Sequence, residues 1–308
     1  MDVLIVGSIA YDSIESPEGR IEEALGGSAT YGGIACQFHA NRLDCNAVGL
    51  VGVVGVDFSD DDRAILADTG LDIQGIETAE GSTFRWRGSY HGNMAEAETH
   101  ETHLNVFEHF QPKVPSHARN PKITFCANLH PALQASVLEQ AVPSRFSMLD
   151  SMNLWIDIAK DQLVEVMSEV DIVIINDAEV RMLGGEDDLS AAGKSVMELT
   201  GVTNLIVKRG GHGVLAFHPD GHVELPAYTA AKLVDPTGCG DTFAGTLAAY
   251  LAHGNGELSM EELHRALVSA TVTASFTLES FGTDALLELT VDSFAQRRQE
   301  YLEITGHS

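Results

Sequence analysis

Basic residues are scarce: 18 lysines and arginines face 45 aspartates and glutamates in 308 residues, a formal net charge of −27. That balance argues against nucleic acid and anionic membrane as partners, since both require a cationic footprint. Salt screens self-repulsion of this size, so the composition fits a salt-rich cytoplasm, with folding expected to weaken as salt is withdrawn. Long apolar runs are also missing. None approaches the ~18 residues of a membrane span, and the opening Met1-Asp-Val-Leu-Ile-Val-Gly7 reads as a strand rather than a leader, so a cytoplasmic location is expected. Cysteine is sparse: Cys36, Cys45, Cys126 and Cys239 form no C-x-x-C pair and read as free thiols of a reducing compartment. His100-Glu-Thr-His103 is H-E-x-H, which on a strand makes no zinc pair.

What is present is a succession of short apolar runs separated by glycine turns and helical patterns, sized for one domain spanning 1–308. Val3–Gly7, Ala47–Val56, Ile123–Ala127, Phe146–Met152, Val170–Ile175 and Asn204–Val207 read as buried strands. Helices are expected around Ile34–Ala40, near Asp60–Thr69 and over Met260–Leu278. Thr83-Phe-Arg-Trp-Arg-Gly-Ser-Tyr90 alternates with period 2, and Leu104–Phe110 is the expected partner strand.

The stretch Val234-Asp-Pro-Thr-Gly-Cys-Gly-Asp-Thr-Phe-Ala-Gly245 carries the strongest chemistry. Pro236, Gly238 and Gly240 break any regular pattern, and a small, apolar helix follows from Asp241. A glycine turn feeding a helix N-terminus is an anion cradle. A carboxylate there suits deprotonation of a hydroxyl that attacks a phosphoryl group. Two other readings stand beside it. Asp241 can be a plain cap of a core helix, and Gly238-Cys-Gly-Asp-Thr-Phe-Ala244 also matches the G-x-G-x-x-A dinucleotide fingerprint, with Glu261 about twenty residues on. The second suffers from its late position and from an aspartate that would repel a pyrophosphate. Gly193-Lys-Ser195 is a chance fragment of a P-loop, because residue 188 is Asp.

Asp235-Pro-Thr-Gly-Cys-Gly-Asp-Thr-Phe-Ala-Gly245 closely resembles the C-terminal signature of the ribokinase-like (PfkB) carbohydrate kinases, with Cys239 where a small residue, often Ala, is usual. The resemblance implies an α/β three-layer sandwich with a mostly parallel central sheet, and a small β lid made from segments near 10–26 and 82–110. It implies transfer of the ATP γ-phosphoryl group to an alcohol, with Asp241 as base and the amides of Gly238, Cys239 and Gly240 as the anion hole. Asp12 and the Gly26-Gly27 pair fit the family's substrate-hydroxyl contacts; Tyr31 stands where an asparagine is common, which leaves substrate identity open. Arg87, Asn128 and His130 are further substrate candidates. Tyr31 and Trp86 offer flat surfaces on which a base could stack, so a nucleoside substrate stays open beside sugars and polyols, as does a non-catalytic binding relative. Asn176-Asp-Ala-Glu179 fits the family's N-x-x-E motif, implying that Asn176 and Glu179 order Mg²⁺ through water; the same spacing is a helix capping box. Lys208, Gly210, Gly213, Thr237, Ser275, Gly282 and Thr283 are the implied ATP contacts, and Asp235 the implied neighbour of a monovalent cation such as K⁺. A homodimer through the lid is a further expectation.

Overall fold

The computed structural model describes residues 1–92, 94 and 97–306. Among them, nine strands form one sheet: β1 (Val3–Val6), β4 (Val48–Gly55), β5 (Asp72–Ala79), β8 (Ile123–Cys126), β9 (Phe146–Asp150), β10 (Ile172–Asn176), β11 (Asn204–Lys208), β12 (Val214–His218) and β13 (Gly221–Leu225). Their order is β13-β12-β11-β10-β9-β8-β1-β4-β5. All neighbours are parallel from β11 to β5, and the β11–β12 and β12–β13 pairs are antiparallel.

The apolar runs are continuous because both sheet faces are covered. Val3, Ile5, Leu50, Phe125, Met148, Ile174 and Ile206 point to one side, into a core shared with α1 (Ser28–Arg42), α8 (Cys239–His253) and α9 (Met260–Thr277). Alternate residues face the other side. Leu149, Val173, Ile175, Leu205 and Val207 pack there against α5 (Lys160–Met167), α6 (Asp177–Gly184) and α7 (Leu189–Thr200), while Leu4, Val6 and Cys126 meet α3 (Pro131–Gln140). Short or peripheral helices complete the layers: α2 (Asp60–Asp68), α4 (Asn153–Ile158), α10 (Asp284–Leu287) and α11 (Val291–Thr305).

Helices α1 and α8 run side by side in the same direction, from Tyr31 against Gly238 to Arg42 bonded to Tyr250. They touch backbone to backbone: a Cβ on Gly245 would collide with the carbonyl of Gly32.

A second sheet has the order β3-β2-β6-β7, from β2 (Ala10–Ser16), β3 (Gly19–Gly26), β6 (Phe84–Tyr90) and β7 (Ala97–His103). Residues 93, 95 and 96 of the expected lid segment lie outside the described residues. The strand pairing with β6 is the polar Ala97–His103, not the expected Leu104–Phe110; Asn105–His109 is a 3₁₀ turn. The reason is burial. Val106 and Phe110 pack onto the body beside Val51 and Val53, and Phe107 stacks on Phe84 at 5.3 Å, whereas β7 is exposed along its length and has no apolar face to betray it. The expected alternation also ends at Gly88, Ser89 and Tyr90, which are buried in succession, and β7 bulges at His100 opposite Arg87 and Gly88.

Candidate active site

In open parallel sheets ligands gather beyond the carboxyl ends of the strands. Here those ends deliver Asp150 from β9, Asn176 from β10 and Lys208 from β11, and α8 starts above them. The Lys208 Nζ donates to Asp150 Oδ2 at 2.6 Å, and Asp150 is buried. Nζ also stands 3.1 Å from the point a Cβ on Gly240 would occupy, so a side chain there would press on the ammonium. No side chain caps α8, and its first-turn amides keep donor capacity for an outside anion. Of the three residues expected at the anion hole, Cys239 already donates its N–H to the Pro236 carbonyl at 3.2 Å. Gly238 is left-handed, φ 74°, and a Cβ there would strike the ring of Tyr31.

Asp241 lies in the first turn of α8. Burial pushes its carboxyl up to about 7; Asp150 adds to the rise and Lys208 opposes it. Glu179 is also pushed up to about 7 by burial, again against the pull of Lys208. Burial works against the Lys208 ammonium, yet Asp150, Glu179 and Asp241 together hold its pKa above the ordinary value. Three carboxylates thus surround one ammonium.

Asn176 and Glu179 form a complete capping box. Asn176 Oδ1 accepts from the Glu179 amide at 2.9 Å, while Glu179 accepts from the Asn176 amide at 2.8 Å and from its Nδ2 at 2.6 Å. Both Glu179 oxygens are therefore engaged, and each keeps a second lone pair for a water. Among the described residues no three metal-ligating side chains gather closely enough to hold an ion alone. The donor set is all oxygen, with surplus negative charge. It fits a hard cation that keeps most of its waters and leans on substrate phosphates, as Mg²⁺ does.

A second acidic group, Asp12 with Asp235, lies on the other side of Gly238. Asp12 is buried and pushed up to about 7 by burial and by Asp235. Its carboxylate occupies the space a Cβ on Gly26 would need, which explains the first glycine of the pair; Gly27 caps α1. Asp235 accepts from the amides of Thr237 at 2.8 Å and Gly282 at 3.1 Å. Thr283 caps α10 and is buried. Gly210 sits in a 3₁₀ turn after β11, and Gly213 ends it.

Other expected residues are placed elsewhere. Arg87 pairs with Glu22 at 2.8 Å on the exposed side of the lid, so its guanidinium is spent within that sheet. Tyr31 is 1% exposed, its ring under Gly238, and presents no open face for a base to stack on. Trp86 lies over Gly88 and donates to Thr99. Ser275 is turned into the body, donating to the Val272 carbonyl and accepting from Arg297. Asn128 lies beyond β8 but is held by Trp155 and Met152, and His130 caps α3. Val234 lies in no strand, so the βαβ setting of a dinucleotide fingerprint is missing around the glycine turn. Sequence reasoning gives Asp150 little weight: with Asn153 it resembles a D-x-N-type segment of the family only at shifted spacing, and its partner is 58 residues away.

The sequence model of the pfkB family carbohydrate kinases matches residues 1–289, and the chain belongs to that family. It is 28% identical over 260 residues to the cytidine kinase of Thermococcus kodakarensis, covering 82% of this chain and 90% of that one. The fold is similar to the nucleoside kinase of Methanocaldococcus jannaschii, an archaeal member of the ribokinase family, with TM-score 0.77 and 20% identity over 97% of this chain and 99% of that one. It also resembles the Burkholderia thailandensis nucleoside kinase solved with ADP-inosine, with TM-score 0.78 and 18% identity over 99% and 97% of the chains. It is a kinase fold with a small separate lid sheet.

Proposed function

We propose that the protein transfers the γ-phosphoryl group of ATP to a hydroxyl of a sugar ring, with Asp241 as general base. The observation that carries this is the place of Asp241: a carboxyl pushed up to about 7, in the first turn of an uncapped helix, one residue past the glycine that faces the Lys208 ammonium. A base poised near neutrality accepts a hydroxyl proton and gives it up again. Lys208 and the α8 amides then oppose the charge that grows on the transferring group. Asp12 holds the sugar by accepting from its hydroxyls; Gly26 lets it approach. Lys208, Gly210, Gly213, Thr237, Gly282 and Thr283 lie along the nucleotide. Asn176 and Glu179 would hold the waters of Mg²⁺, which would supply charge neutralisation at the phosphates. Asp235, buried with two amide donors and paired with no basic side chain among the described residues, is the place for a monovalent cation.

The sugar we propose is the ribose of a nucleoside, a reading supported by the cytidine kinase related over 82% of this chain. A free sugar is the second reading, favoured by the burial of Tyr31. The test is ADP release from Mg-ATP in molar KCl with nucleosides, sugars, sugar acids and polyols, using Asp241→Asn as the blank. Turnover with nucleosides alone supports the first reading and turnover with free sugars alone the second. Silence across the panel, with ATP bound, removes the kinase assignment for these acceptors.

A further inference from the structure

The lid is tied to the glycine turn at one polar point. Tyr90, the last residue of β6, is buried, and its hydroxyl lies 3.1 Å from Thr237 Oγ1, 147 residues away. Thr237 also donates its backbone amide to the Asp235 carboxylate at 2.8 Å. Either hydroxyl of the Tyr90–Thr237 pair can donate. Asp235 in turn accepts from Gly282 at 3.1 Å. The chain Tyr90–Thr237–Asp235–Gly282 thus runs from the lid into both loops that flank the start of α8. Around it Ile14, Tyr90 and Met94 form a small apolar cluster with Ile21, Trp86 and Phe281, separate from the main cores, and Phe281 adjoins Gly282. The cluster is small, so the buried Tyr90–Thr237 bond is a substantial part of what joins the end of β6 to the turn.

We propose that Tyr90 is a positioning residue that couples closure of the lid over the acceptor to the setting of the phosphate turn. Opening the lid breaks the bond to Thr237 and frees the turn before Gly238; closing it restores both. An acceptor held under the lid therefore favours the turn geometry that the nucleotide needs. The kinetic consequence rests on the function proposed above; the mechanical one does not.

The test compares Tyr90→Phe, Thr237→Val and the double variant. Amide hydrogen exchange of the 84–90 segment, measured on the full-length protein without ligands, reads the latch directly. Either single variant should speed exchange there by roughly three- to tenfold, the effect of one lost hydrogen bond. The double should be no faster than the singles, and β8–β10 should not change. In turnover assays Tyr90→Phe should raise the acceptor KM by a similar factor and leave kcat within about twofold. Wild-type exchange rates in both singles, effects that multiply in the double, or a loss confined to kcat would each overturn the proposal. If the wild type phosphorylates no acceptor at all, the proposed function fails while the exchange result still decides the latch.

Discussion

Replacing Asp241 by Asn removes proton acceptance while keeping shape. The amides of α8 and the Lys208 ammonium remain, so phosphate contacts survive and nucleotide affinity should stay within a few-fold. Turnover should fall by roughly 10²–10⁴-fold, the contribution of a general base. The pH profile is the sharper readout. Because burial sets the Asp241 carboxyl at about 7, wild-type kcat/KM should rise with pH through about 7 and level off above it. In Asp241→Asn that rise should vanish. Stability should respond with the matching sign. A folded pKa above the ordinary 3.8 means that the stability linked to the proton is fully present below the ordinary value and is lost as pH rises through about 7. The Asn variant should therefore gain in Tm over wild type at pH 8, and less or nothing at pH 5. ADP release by coupled assay and thermal melts across pH 5–9 suffice. A variant retaining more than a tenth of wild-type turnover, with the pH rise intact, would refute Asp241 as the base.

Lys208→Met leaves Asp150 buried without its cation, a loss of about 3–5 kcal/mol for a broken buried pair. Since Lys208 lowers the Asp241 pKa, the rise in kcat/KM should also move to higher pH in any residual activity. Gly238→Ala forces a left-handed backbone, about 1–2 kcal/mol by itself, and drives a methyl into the Tyr31 ring; activity should be lost and Tm lowered. Cys239→Ala should be near neutral, because burial pushes the thiol up to about 12 and its Sγ only donates to the Ala274 carbonyl at 3.2 Å; wild type should resist iodoacetamide at pH 8. With a net charge of −27, folded signal should fall steeply between molar KCl and low salt; a flat response would dismiss charge repulsion as a destabilising factor.

The inner strands β1, β4, β8, β9, β10 and β11 were legible because they are buried on both faces and read as unbroken apolar runs, whereas the part-exposed strands β5 and β13 at the sheet's edges were not. The glycine turn before α8 was legible because proline and glycine leave few local choices. Polar strand β7 was not, since it is held by backbone pairing at an exposed edge and no periodicity in Ala97–His103 records it. Arg87 was misplaced for a related reason: chain order does not say which acid a lid arginine will meet, and Glu22 lies 65 residues before it. Asn176 and Glu179 make the capping box that their spacing also allowed, and Glu179 adds to the negative charge around Lys208. The Asp150–Lys208 pair and the Tyr90–Thr237 bond join residues 58 and 147 positions apart, and no local pattern links them.

The contact of α1 with α8 at Gly32 and Gly245 acts as a spacer for the whole reaction. Each helix opens on one half of the site, α1 on Gly27 beside Asp12 and α8 on Gly238 beside Asp241. Because the two backbones meet with no side chain between them, the separation of the two openings is fixed inside the body, one helical turn beyond Asp241. Widening it by one methyl group at residue 245 would move donor and acceptor apart together with everything they carry. It follows that the lid and the residues lining it can be remodelled for a different alcohol without re-measuring the distance across which the phosphoryl group must travel.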